Sequence, residues 1–154
     1  MATTLQIIDA VVQRLKTKLP LLAIEYFPDK PAEYRLNHPR GALLVSYLGS
    51  QFDKTADVTY IAQPRTVKLS ITVILRQLNG RGGAVDVADD VRRALIGWRP
   101  PDCRKVWAVS DKFLGETAGL WQYAVDLATQ AMLVEDADVD TEIPLTQVTY
   151  EEQP

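Results

Sequence analysis

The chain has 154 residues and a mass of 17.2 kDa, which suits one domain with a single hydrophobic core. Hydrophobic residues make up 47% and charged residues 24%, a composition that excludes intrinsic disorder, collagen, a coiled-coil rod and a multispanning membrane protein. The single Cys103 excludes an internal disulfide and a Cys-based zinc site, and no apolar stretch approaches the ~18 residues of a membrane span. We therefore expect a soluble protein of a reducing cytoplasm.

Charge is distributed unevenly along the chain, whose formal net charge is -3. Residues 135–152 carry seven acids and no Lys or Arg, which leaves 13 acids against 17 basic residues elsewhere. A basic body therefore carries an acidic end. Such an end is typically solvated or lies against a basic surface, its own or a neighbour's. The sequence thus predicts a single α/β domain over 1–134 and an acidic C-terminal tail over 135–154.

The first predicted element is an amphipathic helix over residues 3–18. Thr3 and Gln6 match the capping-box pattern, in which each side chain satisfies a backbone donor at the helix start, and Pro20 blocks continuation of the helix. Apolar side chains recur at steps of three and four and predict the buried stripe of this helix. The stripe consists of Leu5, Ile8, Val12, Leu15 and Leu19.

The rest of the pattern predicts several strands and one more helix. Alternation is clearest over 66–78, where apolar side chains share one face and polar side chains share the other. A glycine-rich turn at 79–83 leads to the second helix, 84–97, which ends at Gly97 before two prolines. The predicted strands are 21–26, 42–48, 57–61 (the weakest), 66–78, 104–109 and 120–134.

The predicted connections complete the fold class. Residues 28–41 hold three prolines and a glycine and predict an irregular segment, whereas 110–119, with Gly115 and Gly119, predicts a hairpin connection. Strands that alternate in this way need cover on one face only. We therefore expect an α+β sandwich, with an antiparallel or mixed sheet and two helices packed on its apolar face.

Two motifs resemble ligand sites but fail closer tests. The 79–83 turn lacks the Lys-Ser/Thr of a phosphate-binding loop, and Asp86 and further acids place negative charge where a phosphate would bind. Residues 136–142 alternate acids like a calcium loop, yet Thr141 replaces the required glycine and Gln147 replaces the bidentate acid. We predict neither a nucleotide site nor an EF-hand.

No catalytic set is evident either. His38 is the only histidine and lies in a proline-rich segment without a nucleophile motif nearby. The cations Arg104 and Lys105 would lower the pKa of the Cys103 thiol, but no base or second thiol accompanies it. Asp126 falls at an outward position of its strand, where a polar-face carboxylate is the ordinary interpretation. We therefore predict no catalytic residue, no cofactor and no metal.

Nucleic-acid binding is a further alternative, because basic residues cluster near the end of the first helix and around the central strand. The sequence pI of about 5.2 is far below that of a dedicated nucleic-acid binder. Exposed cations and aromatic residues suit a protein interface equally well, and we favour that interpretation. The cations concerned are Arg14, Lys16, Lys18, Arg65, Lys68 and Arg76.

Two stretches resemble a known family, the tail terminator or tail-completion proteins of Mu-like contractile-tailed phages and related prophages. They are PRTVKLSITVILRQLNGRGGAVDVADDVRRALIGWRP at 64–100 and FLGETAGLWQYAVDLATQAML at 113–133. The resemblance rests on the strand that ends in RQLN at 76–79, on the Gly82-Gly83 turn into a helix, and on LWQY opening a late strand. With the first helix, it covers most of residues 3–134.

This resemblance implies a structural protein of the virion tail, made in the cytoplasm of the bacterial host. It implies a homohexameric ring at the head-proximal end of the tail, which stops polymerisation of the tail tube, and of the sheath as a further possibility. The same ring offers a docking surface to the head–tail connector. Its partners are itself, the tube protein and the connector, with no membrane and no specific nucleic acid. No enzyme activity is implied.

The residue chemistry predicts where such contacts lie. We expect contact with the tube or with neighbouring subunits at Phe52, Lys54, Arg65, Lys68 and Arg76. The alternative is a small ligand-binding module or enzyme with a pocket beside the sheet, which requires convergent acids and bases that spacing alone does not reveal.

Overall fold

The computed structural model describes residues 1–55 and 59–136 of the chain. Among them, no helix is long and apolar enough to cross a membrane. A 3-10 turn at Pro31–Glu33 interrupts the connection between the first two strands. The elements, in chain order, are α1 (Thr4–Lys18), β1 (Ala23–Tyr26), β2 (Gly41–Phe52), β3 (Ala62–Leu75), α2 (Ala84–Leu95), β4 (Trp107–Thr117) and β5 (Leu120–Val134).

The strands form one mixed sheet in the order β1-β2-β3-β5-β4. β1 pairs with β2 in parallel, and every other neighbouring pair is antiparallel. The ladder between β3 and β5 is the longest and runs without a register shift from Ala62↔Val134 to Leu75↔Trp121. The predicted α+β class, with a mixed sheet, is confirmed.

Both helices pack on the same face of this sheet. Alternate residues of β3 are almost fully buried under the helices, among them Leu69, Ile71 and Val73. Arg14 of α1 links the two helices, because its Nε donates a hydrogen bond to the Ala94 carbonyl oxygen at 2.9 Å. The sequence pattern thus predicted the covered face of β3 correctly.

The capping box of α1 is present, and the predicted buried stripe is confirmed at Val12 and Leu15, with Ile8 and Leu19 partly buried against the core, but is wrong at Leu5. The Gln6 amide nitrogen donates to Thr3 Oγ1, while the Thr3 amide nitrogen donates to Gln6 Oε1. Leu5 is 64% exposed, and α1 buries a stripe displaced toward the next apolar row. The buried side chains of α1, which pack in the core between the helices and the sheet, are Ile7, Val11, Val12 and Leu15.

The other face of the sheet is covered at one end only. β1 and β2 run in parallel, so the chain from 27 to 40 must return along the sheet before β2 begins. Tyr34 and Leu36 of this segment pack against Leu44 and Ile74 on the face away from the helices. The remainder of this face, which we call the open face, carries mainly small and polar side chains, together with the exposed Trp107 and Met132.

Two predicted connections and one predicted strand are corrected. Residues 110–117 lie within β4, and the turn of the β4–β5 hairpin has only two central residues, Ala118 and Gly119, both with positive φ. Such a turn matches the twist of adjoining strands, so the strands extend to its edge. β2 continues to Phe52, which the sequence placed in a loop. The predicted strand 57–61 is wrong where the structure describes it, since 59–61 form no strand; residues 57 and 58 lie outside the described residues.

The remaining boundaries shift by a few residues. β3 begins and ends earlier than the predicted 66–78, and α2 ends two residues before the predicted 97. The predicted strand 104–109 begins later, at Trp107, whereas 120–134 has the predicted bounds. Most of the acidic tail, residues 137–154, lies outside the described residues.

Truncation of Ile71 tests the one-sided core. Ile71 is completely buried beneath the helices, so Ile71→Ala should lower the free energy of unfolding by about 2–5 kcal/mol through lost burial and a cavity. Lys68→Ala, three residues away on the open face, should change it by less than about 0.5 kcal/mol. Urea denaturation measures both; equal losses would contradict the assignment of faces.

Candidate protein interaction surfaces

Two edges of the sheet are unpaired among the described residues. β4 is the last strand on one side, and its entire length lacks an outer neighbour. On the other side, β1 pairs only with residues 42–45 of β2, so residues 46–52 have no strand beyond them. Unpaired backbone donors and acceptors on such edges readily add a strand from another chain. We call these stretches the β4 edge and the β2 edge.

Large apolar side chains accompany both edges. Val109 and Phe113 on the β4 edge are each more than half exposed, and so is Leu48 on the β2 edge. Clusters of exposed apolar side chains on a soluble chain are typical of protein interfaces. The full set is Trp107, Val109, Phe113 and Leu114 on β4, with Tyr47, Leu48 and Phe52 on β2.

The β4 edge was predicted in part as a hairpin connection, because Gly115 and Gly119 are typical of turns. Residues 107–113 have the sequence WAVSDKF, which shows no period-two alternation of apolar and polar residues. Two register shifts, at 108–110 and 113–115, each add one residue to β4 and interrupt the alternation of faces along this strand.

Arg65 joins three elements at the far end of the β2–β3 hairpin. Its Nε donates to Ser50 Oγ of β2 at 2.8 Å, and its terminal nitrogen donates to Thr4 Oγ1 of α1 at 2.5 Å. The guanidinium also lies 5.8 Å from the centre of the Tyr47 ring and donates to the Tyr47 hydroxyl at 3.3 Å. Arg65 therefore holds the two strands to the first turn of α1.

The same cluster changes the acidity of Tyr47. Partial burial raises the pKa of the Tyr47 hydroxyl, but the hydrogen bonds with Ser50 and Arg65 and the nearby guanidinium charge lower it. The lowering contributions together prevail, so the pKa lies below its ordinary value. The pKa of Tyr47 therefore depends on the position of the Arg65 guanidinium.

The five predicted contact residues do not form one patch. Phe52 is the cross-strand partner of Arg65, and Lys54 follows it at the same end of the hairpin. Lys68 lies on the open face, because its neighbour Val67 is fully buried beneath the helices. Arg76 lies eleven residues from Arg65 at the opposite end of β3, a separation of roughly 35 Å. As contact residues, all five remain predictions.

Arg76 and His38 stabilise the connection before β2. The Arg76 guanidinium donates to the carbonyl oxygens of Leu36 and His38, at 3.3 and 3.2 Å. His38 Nδ1 accepts hydrogen bonds from the amide nitrogens of Arg40 and Gly41. His38 is therefore a turn residue, as its sequence context indicated. Arg14, Arg65 and Arg76, half of the cations weighed for nucleic-acid binding, make such internal hydrogen bonds.

The glycine-rich turn and the cysteine also have structural roles. Asp86 Oδ2 accepts from the Gly82 amide nitrogen at 2.8 Å, so an acid already occupies the start of α2. A Cβ at Gly83 would lie 2.7 Å from the carbonyl oxygens of Leu78 and Asn79, which explains the glycine. The expected lowering of the Cys103 pKa is wrong: burial, with the charge of Asp102 adding to it, raises the pKa of this thiol.

The alternative of a ligand-binding or catalytic module concerns the grooves of the domain. Charged residues converge in a groove of about 380 Å³ that is lined by Lys18, Arg40, Arg81, Asp86 and Asp90. The described residues contain no group of three or more His, Cys, Asp or Glu side chains that could hold a metal. A groove of about 410 Å³ lies beneath the 27–40 segment, and Arg35 is the only charged residue that lines it. Asp126 lies on the open face, paired in register with Ser70 and Ser110, as an ordinary polar-face carboxylate.

Comparisons with known proteins point to one family and one assembly. The sequence profile of the Gp37 protein family matches residues 11–152. A chain in a solved structure titled "Virion of native gene transfer agent (GTA) particle" has a similar fold, with a TM-score of 0.50 and 19% sequence identity. The match covers 82% of this chain and 93% of that chain. No curated protein matches the sequence.

Replacement of Arg65 tests the cluster at the hairpin end. Arg65→Ala should raise the pKa of Tyr47 and lower the free energy of unfolding by about 1–3 kcal/mol, because Ser50 and Thr4 lose a charged donor. Arg65→Lys keeps the charge but not the forked geometry and should give a smaller pKa change. NMR titration of labelled tyrosines, assigned with Tyr47→Phe, measures the shift. An unchanged Tyr47 titration in Arg65→Ala would contradict the assigned contacts.

The reactivity of Cys103 tests its environment. Because burial raises the pKa of the only thiol in the chain, the folded protein should react with a disulfide reagent at least about tenfold more slowly than the urea-unfolded protein. The rate in the folded protein should rise with a pH midpoint above that of the urea-unfolded protein, because burial raises the pKa of the thiol. A midpoint below that of the unfolded protein would indicate an activated thiolate and contradict this environment.

Proposed function

The chain belongs to the Gp37 protein family, and on this premise we propose that it is a virion structural protein that closes the head-proximal end of a phage-like tail as a ring. The observation that carries the proposal is the pair of unpaired sheet edges on opposite sides of one domain. The fold, similar to that of a chain in a gene transfer agent virion, supports a role in a particle of this kind. The proposed function is assembly, with no covalent chemistry.

The physical task of such a cap is to bind the exposed end of a polymer without recreating it. A tail tube grows because each added layer presents the binding surface for the next. A terminator needs one surface complementary to the tube and a different surface on the opposite side. The β2–β3 hairpin lies at one end of this sheet, whereas the turn of the β4–β5 hairpin and the 27–40 segment lie together at the other end, so the two ends offer different surfaces.

We assign the tube-facing surface to the end of the β2–β3 hairpin. Phe52 is 49% exposed there, and Lys54 adds a positive charge beside it. Arg65, by contrast, contributes by holding this end rigid against α1. Lys68, on the open face, and Arg76, at the far end of β3, belong to other surfaces of the same subunit.

The opposite end of the domain is then available to the head–tail connector. The acidic tail, 135–154, supplies negative charge that suits a basic surface of a neighbouring subunit. Glu135, where this tail begins, lies at the β2–β3 hairpin end of the sheet, beside the Ala62↔Val134 pair, because its amide nitrogen donates to the Ile61 carbonyl oxygen at 2.9 Å. A homohexamer that caps the tube, with or without the sheath, is the assembly that we propose.

Charge reversal at Lys54 tests the tube-facing assignment. In particles assembled in the host, Lys54→Glu combined with Phe52→Ala should reduce complete particles by about tenfold or more, because a loss of ~1.4 kcal/mol at this contact already weakens its affinity tenfold. The remaining tails should be overlong or headless in electron micrographs. Lys16→Glu, an equal charge change on the outer surface of α1, serves as the matched control and should give normal tails.

Deletion of the whole gene separates the function from the choice of surface. Particles without the protein should have tails of irregular length that fail to join heads. Normal tails in the deletion would overturn the proposed function, whereas normal tails only in the Lys54 variant would remove the assignment of the hairpin end.

A further inference from the structure

We propose that the ring closes by β-sheet pairing between copies of this chain, with the β4 edge of one subunit adding to the β2 edge of the next. The inference rests on the proposed ring and specifies its subunit contact. It makes two definite claims: the contact is antiparallel, and it joins two different surfaces.

The β4 edge presents its outward backbone groups at Asp111 and Phe113. In a two-residue hairpin, the residues that flank the turn, Thr117 and Leu120, are a hydrogen-bonded pair. The backbone N–H and C=O groups of β5 point alternately toward β4 and toward β3. Phe113↔Tyr123 and Asp111↔Val125 are therefore non-hydrogen-bonded pairs. Their β4 amides and carbonyls therefore point away from the sheet.

The β2 edge presents its outward groups at Ser50 and Phe52. The Asp53 amide nitrogen donates to the Pro64 carbonyl oxygen, so the backbone at Asp53 points toward β3. By alternation, Phe52 and Ser50 point outward. Earlier in β2, the Val45 carbonyl oxygen accepts a hydrogen bond from the Phe27 amide nitrogen. Pairing of β2 with the β1 side of the sheet ends at this residue.

The two edges have matching regular lengths. On β4, one register shift precedes residues 110–113 and another follows them. On β2, a shift between Tyr47 and Gly49 precedes the regularly paired residues 49–52. Each edge thus offers four regularly paired residues with two outward-facing backbones. Exposed apolar side chains lie beside both stretches, and pairing of the two edges would bury part of their surface away from water.

The strand directions determine the pairing. Since β2, β3, β5 and β4 are successively antiparallel, β4 runs opposite to β2. A neighbour that continues the sheet in the same orientation therefore meets the β4 edge in antiparallel fashion. A second copy of this chain is the partner that fits. When the β4 edge of each copy pairs with the β2 edge of the next, one kind of contact occupies both edges of every subunit. Such a contact is head-to-tail, and rotation closes it into a ring.

Paired cysteines test this contact. In a Cys103→Ser chain we place Gln51→Cys and Lys112→Cys, two exposed residues on the open face, each within a regular stretch. A short bis-maleimide tolerates a register offset of about two residues, or roughly 7 Å. Because each chain carries both thiols, head-to-tail contact should give a ladder from dimer to closed ring in denaturing gels of purified rings and of assembled tails.

Controls define the opposing outcomes. Either cysteine alone should give no cross-linked dimer, and Lys112→Cys paired with Lys16→Cys should give no ladder. Dimers from Lys112→Cys alone would reveal a twofold β4–β4 contact and overturn the inference. A ring mass in native mass spectrometry without a ladder would also overturn it and leave the proposed function intact; no ring in solution or in tails would refute both.

Amide exchange provides a test without substitutions. The outward amides of Ser50, Phe52, Asp111 and Phe113 should exchange at least about tenfold more slowly in the ring than in the dissociated wild-type subunit. The neighbouring amides of Gln51 and Lys112, which face their own hairpins, should change much less. Equal exchange of the outward amides in both states would overturn the inference.

Discussion

The structure depends on burial of one face of the β3–β5 ladder. Fourteen consecutive register pairs join these two strands, and their alternate apolar residues meet both helices. Burial of apolar surface is the dominant favourable contribution to folding, and here it is concentrated on a single side of the sheet. The opposite face therefore needs only small or polar residues, of which Ser70, Thr72 and Ala124 are nearly inaccessible between their neighbours. With one core on one side, both edges of the sheet remain available for other contacts.

Several cations stabilise this arrangement from within the domain. Arg14 joins the helices, Arg65 joins the β2–β3 hairpin to α1, and Arg76 holds the segment that returns to β2. Arg92 pairs with Asp89 and also with Asp111, which connects α2 to the edge strand. A guanidinium suits these positions because its several donors can satisfy carbonyl, hydroxyl and carboxylate oxygens at once. These side chains are consequently poor candidates for a nucleic-acid surface.

The proposed function follows from what the fold leaves unsatisfied. A chain with two accessible sheet edges and exposed Trp107, Phe113 and Leu48 is better suited to assembly with other chains than to remaining a monomer. The β4 bulges and the charges at Asp111 and Lys112 restrict this edge, so that few registers suit it. The chain belongs to the Gp37 family, and its fold is similar to that of a chain in a gene transfer agent virion. A cap that works by shape requires rigid surfaces, which the internal arginine contacts provide.

The sequence by itself determined the two helices, the central strands and the buried face of β3. Period-two alternation predicted the buried side of β3, and the Thr3–Gln6 capping box and Pro20 delimited α1, because these signals are local. Tertiary structure decided which apolar row of α1 is buried, since Leu5 and Ile7 are equally apolar and only the sheet distinguishes them. It also decided that Arg65 and Lys68, three residues apart, lie on opposite faces with different partners. The unpaired edges could not be predicted locally, because whether a strand has a neighbour depends on the strand order of the whole sheet.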